Sequence, residues 1–305
     1  MGRASARHSL LEARIALREC TCMPKPEQLQ HLIKLLDDDS PVVQEGILRE
    51  LAAFGPWLTH EISRMNIRLS AEQRQDLAAK VAEYNRQWLR EHWRSYQSCT
   101  DEKQRLEAAL SLLAEFQYGR GYPVKLTPLL DRLAREFSSS TSRQNALALA
   151  EYLFKTVQLA GVQKDFYNPY NSNLVYVIEA RRGIPLSLAC VYMLVGNRLE
   201  LRIEGCNFPG HFLAIAYHYE KKYVVDCFNG GQFLDQKDLL HLATQGRSPL
   251  IELTQLECDA NAIIERTVRN LVVAYQKTEQ TANAELMKEL LNKMTRNDWE
   301  EETEE

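Results

Sequence analysis

Apolar residues recur every three to four positions over residues 25–160, which predicts a succession of amphipathic helices. The clearest pair lies within 27–55, and we interpret it as one hairpin similar to a HEAT repeat. Ser40 and Pro41 suit the cap and first position of its second helix, and Gly55 suits its end. Further helices are predicted at about 71–97, 101–117, 126–137 and 143–160.

The pattern changes after residue 160. Helical spacing returns at 172–180 and from Pro185, whereas the sequence from about 202 alternates between apolar and polar residues, which is typical of strands. Two more amphipathic helices are predicted within 260–297. These patterns predict an α+β fold with a mainly helical N-terminal region, a small antiparallel sheet in the core and a C-terminal helical hairpin.

The changes in pattern also divide the chain into segments. Two short ends are predicted to be disordered, because one lies ahead of the first well-patterned helix and the other is strongly acidic. The predicted segments are an N-terminal extension (1–22), a helical region (23–160), an α+β core (161–245), C-terminal helices (246–297) and an acidic tail (298–305).

Composition limits the classes of function. Apolar residues make up 45% of the chain and charged residues 26%, and the net charge of −4 offers no basic surplus for general binding of nucleic acid. No run of about 18 apolar residues predicts a membrane helix, and charges interrupt the N-terminus where a signal peptide needs an apolar core. Seven irregularly spaced cysteines fit reduced thiols in a cytoplasmic protein, with no metal or cofactor site.

Candidate chemistry lies between residues 183 and 231. With Ile184 as the cap and Pro185 at the first position, Ser187 is the third residue of a helix, close to the positive end of its dipole. A nucleophile there gains from free backbone N–H groups, although a serine also needs a neighbouring base. The local sequence favours a plainer role, in which the Ser187 hydroxyl bonds to the backbone of the first turn.

His211 and Asp226 lie on two predicted strands joined by a hairpin. If paired residues have an odd index sum, the two side chains share one face; a sum of 439, for example, places Asp226 opposite Leu213 and diagonal to His211. The carboxylate can then orient the imidazole for catalysis. A structural hydrogen bond that closes the hairpin is the alternative.

Cys190 is a rival nucleophile one helical turn beyond Ser187. It lies deeper in an apolar run, where the dipole is weaker and fewer N–H groups are free, so a core role is favoured.

The strings DFYNPYNSNLVYVIEARRGIPLSLACVYMLV, GCNFPGHFLAIAY and VVDCFNGG together resemble the bacterial SirB-type transglutaminase-like family over residues 161–235. The resemblance implies a papain-like or transglutaminase core followed by tetratricopeptide-like helices. It maps the catalytic cysteine, histidine and aspartate of the superfamily to Ser187, His211 and Asp226. Serine in place of cysteine is common in SirB-type proteins, so this departure is a trait of that family.

Three functional hypotheses follow. The first is a protein-interaction module or regulatory pseudoenzyme with a protein or peptide partner. The second is a hydrolase or acyltransferase that uses a Ser187–His211–Asp226 triad. The third is a cysteine peptidase or acyltransferase that uses Cys190.

Overall fold

The computed structural model describes residues 26–36, 39–208, 210–219, 221–235, 237–239 and 257–295. The predicted N-terminal extension (1–22) and the predicted acidic tail (298–305) lie outside these residues. The chain divides into two compact units. One comprises Met1–Ser95 and Ser111–Lys125, and the other comprises Tyr96–Leu110 and Leu126–Glu305.

The first unit is helical, as the sequence predicts. Its helices are α1 (Leu29–Lys34), α2 (Pro41–Ala53), α3 (Leu58–Arg64), α4 (Ala71–His92) and the second half of α5 (Glu102–Tyr118). The predicted boundaries of α2 are confirmed: Ser40 is its N-cap and Pro41 its first residue. Gly55 follows with a φ of +53°, and a Cβ there would lie 2.0 Å from the carbonyl oxygen of Tyr118, so the turn requires glycine.

The second unit contains the first half of α5 and most of the remaining helices. These are α6 (Leu126–Ser140), α7 (Ala146–Glu151, continued by a π-helical turn at Tyr152–Thr156), α8 (Leu174–Ala180), α9 (Pro185–Arg198), α10 (Ala260–Lys277) and α11 (Thr281–Thr295). Helix α6 runs further into the serine cluster than predicted, because the hydroxyls of Ser139 and Ser140 bond back to helical carbonyls. Helix α7 begins later than predicted, where Asn145 accepts a hydrogen bond from the N–H of Ala148.

A five-stranded antiparallel sheet completes the second unit, in the order β6-β5-β4-β3-β7. The strands are β3 (Ile203–Cys206), β4 (Leu213–His218), β5 (Lys221–Asp226), β6 (Gln232–Leu234) and β7 (Glu257–Cys258). A two-stranded parallel ladder joins β1 (Ala160–Gly161) to β2 (Arg182–Gly183), directly before α9. The predicted α+β class is therefore confirmed.

Helix α9 is the most buried helix of this unit and sets the position of the candidate site. All of its residues from Leu186 to Gly196 are buried, which explains why its sequence is apolar on every side. The hairpin has an odd index sum, which is the condition for His211 and Asp226 to share one face, because Ala214 pairs with Val225 and their indices sum to 439. That register carries Asp226 to the end of β5 on the side of His211.

Candidate functional site

The start of α9 has the predicted cap, with Ile184 at the N-cap and Pro185 at the first helical position. Ser187, at the third position, is only 3% exposed. The N–H of Ile184 donates to Ser187 Oγ over 3.0 Å, and the Ser187 hydroxyl donates to the Ile184 carbonyl over 3.0 Å. The hydroxyl thus serves as a local cap for the helix, which is the plainer role that the local sequence favours.

Packing around Ser187 shows which way its hydroxyl faces. A Cβ added to Gly183 would lie 2.6 Å from Ser187 Oγ and 2.9 Å from a Val177 methyl, so the serine hydroxyl fills the space that the glycine leaves open. The small space beside Ser187 and Cys190 has no room for a water molecule. Ser187 therefore faces the core of the unit.

The cysteines near the site are also core residues. Cys190 is 1% exposed, and burial raises the pKa of its thiol to about 12. Burial likewise raises the pKa of Cys206 to about 12 and that of Cys227 well above its ordinary value. At neutral pH these groups remain protonated thiols, which are poor nucleophiles.

His211 and Asp226 lie together, as the sequence predicts. His211 Nε2 is 3.0 Å from Asp226 Oδ1. A carboxylate can only accept a hydrogen bond, so Nε2 carries the hydrogen and Nδ1 is the ring nitrogen left for a ligand. The ring precedes β4 instead of lying on the predicted strand, in a turn where the His211 N–H donates to the Phe208 carbonyl over 3.1 Å.

Asp226 is held firmly at the end of β5, where it is 2% exposed. Besides His211, its carboxylate accepts bonds from the backbone N–H groups of Phe228 and Asn229 and from the side-chain amide of Asn229. Burial alone would raise the pKa of Asp226. The bonds and charge of His211, with the bonds from Asn229, outweigh burial, so the pKa falls below its ordinary value. The carboxylate stays ionised and fixes the imidazole.

His211 borders a pocket of about 240 Å³. Its walls come from the segment before α8, the start of α9, the turn before β4 and one face of α10. The lining residues are Phe166, Tyr167, Asn168, Asn171, Ser172, Ile184, Pro185, Leu186, Gly210, His211, Phe212, Arg266, Asn270, Val273 and Ala274. Among the described residues, therefore, the start of α9 presents its cap and first two residues to the pocket, while Ser187 lies outside the lining.

The structure thus unites two of the three predicted site residues. His211 and Asp226 form one hydrogen-bonded pair, and Ser187 bonds instead to the backbone of Ile184.

Sequence reasoning missed two walls of the pocket. The aromatic and asparagine residues of 166–172 gave a compositional signal, because such residues are rare in the neighbouring helices. Arg266 gave none, because one arginine on an amphipathic helix resembles any other until the helix is docked.

Two other features are absent from the described ranges. No group of three or more His, Cys, Asp or Glu side chains there is arranged to hold a metal ion. None of the helices in that part of the chain combines the length and apolar character needed to cross a bilayer.

One known family model matches the part of the chain that contains the candidate site. The family model described as the transglutaminase-like superfamily matches residues 122–269. This range extends from before α6 to the middle of α10, and it contains His211, Asp226 and the start of α9. Residues 122–269 are therefore similar to transglutaminase-like domains.

Relatives of this chain include UPF0162 proteins of bacteria. The one from Xylella fastidiosa strain Temecula1 is 36% identical over 139 residues, which are 44% of this chain and 50% of the relative. The one from Pseudomonas aeruginosa is 31% identical over 172 residues, or 54% and 62% of the two chains. F-box only protein 21 of Mus musculus is 35% identical over 66 residues, or 22% and 10%. The chain spans about half to three fifths of the bacterial relatives, and no solved structure matches it significantly.

Proposed function

We propose that the transglutaminase-like domain is a peptide-binding module of SirB type, a regulatory pseudoenzyme that keeps the His–Asp pair while Ser187 is turned away from it. One observation carries the proposal: both hydrogen bonds of the Ser187 hydroxyl go to the backbone of Ile184, inside closed core packing. Acyl transfer needs a nucleophile within hydrogen-bond reach of its base. The first residue of α9, which borders the pocket, is Pro185, and its side chain has no nucleophilic atom.

The pocket has the features of a recognition site. His211 Nδ1 is the ring nitrogen left for a ligand, and the amide of Asn270 offers a donor and an acceptor near the apolar surfaces of Phe212 and Pro185. An extended peptide presents alternating N–H and C=O groups, which such a wall can bind. In this proposal Asp226 orients the imidazole for binding.

The proposal also covers the C-terminal helical hairpin and the location of the protein in the cell. We assign the hairpin of α10 and α11 the role of a tetratricopeptide-like extension, since these two consecutive helices pack against each other. A cytoplasmic location is supported by the free thiols of the described cysteines, because disulfides are rare in reducing compartments. These thiols belong to Cys99, Cys190, Cys206, Cys227 and Cys258.

A hydrolase with a serine nucleophile is the second candidate, and the anchored His211–Asp226 pair is the observation in its favour. It requires the Ser187 hydroxyl to leave both bonds to Ile184 and turn toward the pocket. Covalent labelling of Ser187 by a fluorophosphonate, lost in His211→Ala, would establish this candidate in place of the first.

The test of peptide binding uses synthetic peptides. A panel of fluorescein-labelled hexapeptides of varied sequence with free C-termini is titrated with the protein, and affinity is read by fluorescence polarisation. Val273→Trp places a large ring at the pocket, and Gln276→Trp places the same ring on an exposed position of α10 outside the pocket lining. We expect peptides whose binding is abolished by Val273→Trp and kept by Gln276→Trp and Ser187→Ala. Binding that Val273→Trp leaves unchanged would reject the proposal.

A further inference from the structure

We infer that the pocket recognises a carboxylate on its peptide ligand, and that Arg266 of α10 is the residue that binds it. The inference rests on the proposed peptide-binding function and names the chemistry of the ligand. The carboxylate can belong to a peptide C-terminus or to an acidic side chain, and the experiment below separates these two sources.

Arg266 differs from Lys103 and Arg198, two other part-buried cations of its unit. Lys103 Nζ lies 2.6 Å from Glu204, and Arg198 lies 2.8 Å from Glu107 and 2.5 Å from Asp131. Within the described residues no carboxylate lies within 4.0 Å of the Arg266 guanidinium. Its one side-chain hydrogen bond there is from Nη1 to the amide oxygen of Asn207.

The position of Arg266 favours an anion. Its guanidinium lies 5.2 Å from the centroid of the Phe212 ring, beside the pocket. Burial lowers the pKa of Arg266, because part of its hydration is lost without a carboxylate to replace it. A ligand carboxylate at this point restores that loss through charge-assisted hydrogen bonds, to which the planar guanidinium is well matched.

The charge of the lining supports the same conclusion. No Asp or Glu is among the described residues that line the pocket, and its basic side chains are Arg266 and His211. Beyond Arg266, Lys277 lies 5.9 Å from the ring centroid of Tyr167, another lining residue. A cationic ligand therefore finds no carboxylate partner among the described lining residues, whereas an anion finds the Arg266 guanidinium.

The size and rim of the pocket indicate the length of the ligand segment. A volume of about 240 Å³ is below the roughly 300–1,000 Å³ of pockets that hold drug-sized ligands, so one or two residues fit inside. Phe166 and Tyr167 remain 48% and 47% exposed at the edge. Exposed aromatic rings of this kind contact the apolar surface of the chain that continues outside.

The experiment uses a hexapeptide from the panel whose binding is abolished by Val273→Trp. It is resynthesised with a free or an amidated C-terminus and with each Glu or Asp kept or replaced by Gln or Asn. Binding is measured to wild type, Arg266→Gln and Arg266→Lys. Arg269→Gln is the matched control, since Arg269 is an exposed arginine of the same helix that pairs with Glu265 outside the pocket lining. Thermal unfolding confirms that each variant is folded.

We expect removal of one carboxylate to weaken binding to wild type about tenfold or more, and the modification that does so identifies the source. Arg266→Gln should weaken the carboxylate form equally, with little further loss when both changes are combined. Arg266→Lys should be intermediate, and Arg269→Gln should match wild type. Equal affinity of all peptide forms would overturn the inference while the proposed function stands. Absence of any binding sensitive to Val273→Trp would overturn both.

Discussion

The two sides of the candidate site differ in where their polar groups face. On the helix side, Ser187 is 3% exposed and bonds only to the backbone of its own cap residue among the described contacts. On the strand side, the His211 side chain is 17% exposed, borders the pocket and is fixed by a buried carboxylate. The three residues predicted for a catalytic triad thus differ in orientation, since His211 and Asp226 form a pair beside the pocket and Ser187 faces the core.

This difference shows that a residue's position in a motif does not determine which way its side chain faces. At the third position of α9, the Ser187 hydroxyl faces the core because Gly183 leaves room for it on that side. The His211 ring lies beside the pocket because its hydrogen bond to Asp226 holds it there. Substitutions on the two sides should therefore have different effects.

The largest expected effect on stability is on the strand side. Asp226→Ala removes the acceptor for three donors of Phe228 and Asn229 and for His211, so we expect the free energy of unfolding to fall by about 2–4 kcal/mol. Urea denaturation measures the change. Asp76→Ala on the exposed face of α4 is the control and should differ little from wild type. A similarly small change for Asp226→Ala would mean that the strand side is not anchored as described.

On the helix side, the expected effect is steric. Gly183→Ala places a methyl 2.6 Å from Ser187 Oγ and 2.9 Å from a Val177 methyl, and overpacking of this kind costs about 1–3 kcal/mol. Ser187→Ala alone should cost about 1 kcal/mol, the net value of a typical hydrogen bond. The double variant should be more stable than the sum of the two losses predicts, because Ser187→Ala removes one of the two clashes. Strict additivity would contradict the inward orientation of Ser187.

The two sides of the site should also differ in how their contribution to stability depends on pH. The pKa of Asp226 is lower in the folded protein than its ordinary value of 3.8, so its stabilisation is complete above that pH and is lost as pH falls through the folded value. The difference in unfolding free energy between wild type and Asp226→Asn should therefore shrink as the pH falls below 3.8. Wild type and Ser187→Ala should differ by the same amount at every pH. Urea titrations between pH 6 and pH 3 compare the three proteins.

The smallest expected effect is slow alkylation of the thiols on the helix side. Cys190 is buried and the pKa of its thiol is about 12, so iodoacetamide at pH 7 should leave it unmodified while the partly exposed Cys99 reacts. Peptide mass spectrometry of native and urea-denatured protein gives the two rates for each residue. Rapid native alkylation of Cys190, slowed by His211→Ala, would support a cysteine enzyme instead.

Local sequence rules predicted the elements and part of the site. Periodicity located most helices and the cap at Ile184 followed from Pro185, whereas alternation alone left the register of β4 and β5 open. The direction of Ser187 could not be read with certainty, because it depends on Gly183 and Val177, which come from β2 and α8. Arg266 could not be predicted either, since it reaches the pocket only through the docking of α10.

Acylation of Ser187 tests the central claim most directly. Wild type, Ser187→Ala and His211→Ala are incubated with a fluorophosphonate probe and with an activated ester, and intact-mass spectrometry is followed by peptide mapping. We predict no adduct on Ser187 in any sample, because its hydroxyl faces the core and bonds to Ile184. A stoichiometric adduct on Ser187 in wild type that disappears in His211→Ala would show that the serine and histidine act together, and would contradict the account.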